Sequence, residues 1–282
     1  PQLRRLDLSY NQIATLEPRM FNNLLKINHL DLYHNHIGDP GTVDLSLFCN
    51  LPNLSFLSLG YNNISKLKKC TQQDRNSAPI DSTPEKTLLN TTAQLLPEWQ
   101  YLRNEPYTWD KVTELAFIDG LDHENDFSGL LDVPQNISAG GGSRLTVLNL
   151  NWNELSEWED NLFDNFVNLK LLNLENNPIR SLRSGQFNGL GNLLILRLSS
   201  CYLTSLDFNV FSPLTNLKDL RLANNRLKTM TPPEMSMNRL VFLDLSRNFL
   251  LDISSLDTEA FANAFDWDEL RVYNDSVGYS RI

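Results

Sequence analysis

The stretch LTVLNLNWNEL, residues 145–155, decides the fold, because its pattern returns seven more times along the chain. Aligned with it are LRRLDLSYNQI from Leu3, INHLDLYHNHI from Ile27, LSFLSLGYNNI from Leu54, LKLLNLENNPI from Leu169, LLILRLSSCYL from Leu193, LKDLRLANNRL from Leu217 and LVFLDLSRNFL from Leu240. The shared form is LxxLxLxxNxL. Its ninth position holds Asn11, Asn35, Asn62, Asn153, Asn177, Cys201, Asn225 and Asn248. Within each block successive slots lie 23 to 27 residues apart, and one gap of 91 separates Asn62 from Asn153.

Each letter of the pattern has a physical reason. In LxL the two leucines point to one side of a short strand and the residues around them to the other. One such strand cannot bury its apolar side alone, so the units stack. Beyond the strand the chain turns inward, and the asparagine amide supplies hydrogen bonds to backbone groups that have left the ladder inside a dry core. A repeat of this length and form is a leucine-rich repeat solenoid. The expected class is α/β: a curved horseshoe with a parallel sheet on the concave face and a mostly irregular convex side. Cys201 is small, prefers burial and donates weakly, so it reads as a substitute in the asparagine ladder rather than a reactive thiol. Ten residues past the slot a second anchor fills the back of the coil: Phe21, Phe163, Phe187 and Phe211, with Met235 once, and Phe48 and Phe261 thirteen residues on in two longer rungs.

The expected organisation is a three-repeat block at 1–67, an irregular insertion at 68–143 with one damaged repeat near 112–122, and a second block at 144–282 with five repeats and a truncated one. The insertion is rich in Pro, Ser, Thr, Asn and Gln, yet it carries Trp99, Tyr101, Tyr107 and Trp109, so part of it is expected to lie against the solenoid. The formal charge is −10 over 282 residues. All of it resides in residues 98–160, whose thirteen acidic and three basic side chains give −10, leaving the remainder neutral. No apolar run approaches the ~20 residues that cross a bilayer. The chain opens inside a repeat and stops in a poor one, which reads as a fragment of a longer protein.

The 24-residue rung with its FxxL back anchor, as in FNNLLKINHLDLYHNHI and FSPLTNLKDLRLANNRL, resembles the rungs of Toll-like receptor ectodomains. An insertion in mid-solenoid resembles that family's endosomal nucleic-acid sensors. The resemblance implies a receptor that binds a microbial ligand and forms homo- or heterodimers. It implies signalling through a membrane span and a cytoplasmic domain outside this chain, with this part at the extracellular face or in the endosomal lumen. The alternative is an extracellular cell-adhesion or matrix protein, which shares the rung.

Candidate sites follow from the stacking. The residue before each slot forms a column, Tyr10, His34, Tyr61, Asp119, Trp152, Asn176, Ser200, Asn224 and Arg247, read as lying on the sheet. Its aromatic end, with Tyr33, is read either as rings that simply suit a sheet surface or as a ligand contact, since rigid rings give large contact area at low entropy cost. Arg197 and Arg221 share a column on adjacent rungs and are read either as an anion clamp or as partners of Asp219 and Asp244. Val147, Leu171 and Ile195 make an apolar row that marks a partner contact or cover by the insertion. His29, His34 and His36 crowd one rung; they read as solvated surface histidines, with the gating cluster of a pH-sensitive receptor as the alternative. Five N-x-S/T sequons, at Asn53, Asn63, Asn90, Asn136 and Asn274, are glycosylation candidates, with Asn90 and Asn136, in irregular segments, preferred. Cys49 and Cys70 flank the third rung, and a bridge is favoured over two free thiols. No catalytic motif, metal-ligand spacing or cofactor loop is present in the sequence, so binding rather than catalysis is expected.

Overall fold

The computed structural model of the chain describes residues 2–17, 20–38, 41–49, 51–70, 143–234, 237, 239–251 and 270–271. In chain order the strands are β1 (Arg5–Asp7), β2 (His29–Asp31), β3 (Thr42–Asp44), β4 (Phe56–Ser58), β5 (Lys66–Lys68), β6 (Val147–Asn149), β7 (Leu171–Asn173), β8 (Ile195–Arg197), β9 (Ser205–Asp207), β10 (Asp219–Arg221), β11 (Thr229–Thr231), β12 (Phe242–Asp244) and β13 (Leu270–Arg271). One parallel sheet takes nine of them, in the order β1-β2-β4-β6-β7-β8-β10-β12-β13. Its register follows the repeat, with the central leucines Leu6, Leu30 and Leu57 opposite one another and Leu148, Leu172, Leu196, Leu220 and Leu243 continuing the row.

Three residues per strand suffice because each rung hands its burial to the next. From Leu30 to Leu243 the central leucines are fully buried. Behind them the second anchor forms a spine of rings. Phe21 stacks on Phe48 at 5.8 Å, Trp158 lies between Phe163 at 6.0 Å and Phe187 at 5.8 Å, and Phe187 meets Phe211 at 5.8 Å. Trp158 belongs to this spine through its indole N–H, which donates to Gln186 O at 3.0 Å. Met235 and Phe261 lie outside the described residues.

The far side of the coil is more ordered than the pattern implied. β3 pairs with β5 and β9 with β11, both in parallel. Helix is scarce among the described residues: one turn of α-helix, α1 (Ser46–Cys49), and a 3₁₀ turn at Phe208–Phe211 whose Asn209 N–H is capped by Asp207. Cys49 at the end of α1 forms a disulfide with Cys70, their Cα atoms 6.4 Å apart.

The 91-residue gap costs the sheet no strand. β4 pairs directly with β6, Phe56 opposite Val147. The damaged repeat at 112–122, with Asp119, lies outside the described residues. Both edges of the gap are fastened to one rung. Asn165 Nδ2 donates to Cys70 O, Lys69 Nζ pairs with Asp164 at 2.8 Å, and Ser143 N donates to Asn165 O at 2.9 Å.

Candidate functional site

The site is built on the turn that follows each strand. The slot asparagine creates that turn. Asn153 shows the full set: its Nδ2 donates to Leu150 O, Asn151 O and, across the rung boundary, Leu59 O at 2.9 Å, while its Oδ1 accepts Ile64 N–H at 3.0 Å. Asn35, Asn62, Asn177, Asn225 and Asn248 repeat this arrangement. Asn11, in the first rung, keeps only the bonds within its own turn.

Cys201 replaces part of the set. Its thiol lies 3.5 Å from Leu174 O, but it brings no amide oxygen, and Ile179 N–H turns instead to Asn177 O at 2.8 Å. Burial pushes the thiol up to about 12, so it stays protonated and inert.

Closing the turn forces the residue before the slot into the left-handed region. Tyr10, His34, Tyr61, Trp152, Asn176, Ser200, Asn224 and Arg247 all have φ between 52 and 56°. The column predicted on the strands therefore runs along the turns, and Trp152 follows Tyr61 directly. Asparagine tolerates this conformation; for other side chains it costs roughly 1–2 kcal/mol. Four consecutive rungs nonetheless place a ring there, and three of those rings are strongly exposed: Tyr10 at 71%, Tyr61 at 43% and Trp152 at 50%.

The rings form one continuous stack. Tyr10 and His34 lie 4.8 Å apart at 21°, His34 and Tyr61 4.6 Å apart at 11°, and Tyr61 and Trp152 5.5 Å apart at 38°. The spacing is that of the strands beneath. Tyr33 braces the stack from the side, 5.7 Å from Tyr10 and 5.9 Å from Tyr61. It fits because the next rung has Gly60 at the equivalent position. A Cβ there would come within 2.9 Å of the Tyr33 ring and 2.1 Å of the Asn151 amide. Burial, with Tyr10, Tyr61 and Asp31 nearby, raises the Tyr33 hydroxyl above its ordinary value, so it remains a donor.

Several outward positions of the sheet are closed to solvent. Val147, Leu171 and Ile195 are buried, as are Phe56 and Phe242 in the same column. Arg197 and Arg221 are 5% and 6% exposed, so neither is open as an anion clamp, and Arg221 pairs with Asp219 at 3.3 Å. Burial raises Asp219 above the usual carboxylate range, Arg221 opposing. His29 is stacked on Phe56 at 4.1 Å and 2°, and burial with Arg5 beside it lowers its pKa to about 4, Asp7 opposing. A group neutral down to that pH does not gate binding at pH 5.5.

Two structural roles escaped the sequence reading. The strand-end residues Asp7, Asp31, Asn149, Asn173 and Asp244 each accept the N–H two residues on, capping the turn. A second asparagine ladder runs ahead of the strands: Asn53, Asn168, Asn192 and Asn216 donate to Leu25 O, Ser143 O, Val167 O and Gly191 O of the preceding rung at 2.6 to 2.9 Å. The recurrent NL in PNLSFL, VNLKLL, GNLLIL and TNLKDL was its signal. Of the sequons, Asn90, Asn136 and Asn274 lie outside the described residues. Among the described residues no cluster of three metal-binding side chains occurs.

Comparison with known proteins follows this geometry. The leucine-rich repeat family matches residues 1–64, 143–203 and 167–227, just over half of the chain. Toll-like receptor 4 from Sus scrofa is 36% identical over 63 residues, 22% of this chain and 7% of the relative. Among solved structures, TLR13 in complex with ssRNA13 has a TM-score of 0.61 at 21% identity, covering 96% of this chain and 32% of that one. Toll in its complex with Spatzle, from Drosophila, has 0.58 at 18%, covering 95% and 29%. The leucine-rich repeat domain of APL1B has 0.55 at 17%, covering 97% and 65%. The chain thus spans under a third of the Toll-like proteins it matches. With these matches, the repeat, the parallel sheet and the asparagine ladder in agreement, the chain belongs to the leucine-rich repeat family, its solenoid similar to those of Toll-like ectodomains.

Proposed function

We propose that this chain is part of the ligand-binding ectodomain of a Toll-like pattern-recognition receptor, and that the ring stack Tyr10–His34–Tyr61–Trp152, with Tyr33, is a contact surface for its ligand or dimer partner. The carrying observation is conformational. Rings occupy left-handed positions where asparagine stands in two other rungs, and strain of this kind clusters at functional sites. Their arrangement also narrows the partner. The faces of His34 and Tyr61 are taken by neighbouring rings, so an incoming molecule meets ring edges and tyrosine hydroxyls. Edges and hydroxyls suit a protein surface, where tyrosine and tryptophan serve as anchors. Intercalated bases would need free faces.

The receptor's membrane span, cytoplasmic domain and microbial ligand belong to the same proposal; they rest on the likeness to Toll-like proteins. Among the described residues no helix is long and apolar enough to cross a membrane. The test is a binding panel on the intact chain freed of N-linked glycan, with microbial protein fractions and single-stranded RNA as probes, comparing wild type with Tyr33→Ala and Tyr61→Ala. Each substitution should weaken the bound probe by about 10-fold or more, as loss of an aromatic anchor does. Unchanged affinity in both removes the stack from the site.

A further inference from the structure

The two sequons among the described residues are built differently, and the difference assigns a modification site. Asn53 is a member of the second ladder. Its Nδ2 donates to Leu25 O at 2.7 Å and its Oδ1 accepts from Arg144 at 3.3 Å, so its sequon coincides with a structural asparagine. Asn63 belongs to neither ladder. It follows the slot residue Asn62, it is exposed, and among the described residues its amide side chain makes no hydrogen bond. Other rungs put Gln12, His36, Glu154, Tyr202, Arg226 and Phe249 at this position, all exposed, and one puts the half-buried Pro178, so the fold asks little of the side chain. The Cys49–Cys70 disulfide supplies an independent pointer to an oxidising compartment, the kind in which N-linked sugar is attached.

We infer that Asn63 carries an N-linked oligosaccharide that covers the Tyr61–Trp152 half of the ring stack, while Asn53 stays bare. The inference rests on the extracellular placement proposed above. In the transfer, Asn63 Nδ2 bonds to the anomeric carbon of the first sugar of an oligosaccharyl pyrophosphate lipid. The anomeric C–O bond breaks, the lipid pyrophosphate leaves, and the amide gives up one proton. Asn63 lies two residues past Tyr61 on the same turn, and Trp152 adjoins Tyr61 at 5.5 Å. A bulky hydrophilic chain rooted there screens these rings and leaves Tyr10 and Tyr33 open. The glycan then decides which end of the stack a partner reaches.

The experiment expresses the full chain in a secretory eukaryotic host. Enzymatic release of glycans in heavy-oxygen water marks each occupied asparagine for mass spectrometry. The expected result is label at Asn63 and none at Asn53. A bare Asn63 with Asn90 or Asn136 occupied overturns the inference alone, and all sequons bare overturns the extracellular reading with it. Hydroxyl-radical footprinting then tests the cover, using Tyr202 as reference because it and Tyr61 are each 43% exposed in the bare protein. Deglycosylation, or Asn63→Gln, should raise Tyr61 labelling relative to Tyr202, as removal of a bulky surface glycan would. An unchanged ratio overturns the cover.

Discussion

Among the described inner rungs, Cys201 leaves the chemistry of the slot incomplete, and the consequence is visible one rung away. Ile179 N–H has no amide oxygen to reach and settles on Asn177 O. Cys201→Asn restores that acceptor and two stronger donors in a buried seam. It should raise stability by about 1 kcal/mol, read as a higher urea midpoint with unchanged m-value. Asn225→Ala should do the reverse, stranding buried carbonyls at a cost of about 1–3 kcal/mol. His29 supplies a second residue-scale test. Its pKa is about 4 in the folded protein against 6.5 in the free side chain. The unfolded chain therefore binds more protons between those values, and stability, complete above pH 6.5, falls as the pH drops toward 4. Between pH 7 and 5 the loss from this group is of order 2 kcal/mol. His29→Phe keeps the stack on Phe56, removes the titration, and should flatten that part of the pH profile in urea unfolding. Burial raises Asp31, on the same strand, above the usual carboxylate range, so its own titration remains in the His29→Phe profile.

At the scale of the element, what could be read from sequence was whatever the repeat enforces. Leucine alternation and the slot asparagine required the strands, the coil and the ladder, because no other arrangement buries those leucines and satisfies those amides. The turn conformation was not legible. It shows in sequence only as asparagine at positions 176 and 224, while Tyr10, Tyr61 and Trp152 conceal it, so the column was placed on the strands. Nor could the pattern show that Arg197 and Arg221 are buried, since a strand's outward residue is exposed or not according to what covers it. The rung boundary at the gap was obscured for a different reason. Asn62 and Asn153 are 91 residues apart in sequence, yet Asn153 Nδ2 reaches Leu59 O as if they were consecutive. That junction predicts its own test. A protease site engineered between residues 71 and 142 should yield two pieces that stay together on native gel filtration. β4–β6 pairing, Asp164 and Asn165 hold them. Asn165→Ala should lower the urea concentration at which the cut pieces separate; separation of the cut wild-type protein without denaturant would contradict the junction.

Across the molecule, each rung of the large sheet pairs only with its neighbours, so stability is a sum of rungs and boundaries rather than of one central core. The boundaries are unequal. The residue after the slot donates its N–H to the preceding rung at His36, Asn63, Glu154, Tyr202, Arg226 and Phe249, but Pro178 has no N–H to give. The rung bearing Pro178 thus lacks this bond on one side and the Ile179 bond to an amide oxygen on the other. Local opening is expected to begin there. The proposed recognition surface runs along the turn edge, where the ladder holds exposed rings in a conformation they do not prefer.

The ladder is the claim on which fold, turn and ring stack all depend, and amide hydrogen exchange measured residue by residue tests it most directly. The N–H groups of Ile37, Ile64, Leu155, Leu203 and Leu227, each donated to a slot asparagine of the next rung, should exchange slowly. In Asn177→Ala, the Leu155 N–H should lose its protection while Leu227 keeps its own. Exchange of all five at the rate of exposed turn amides in the wild-type protein would contradict the account.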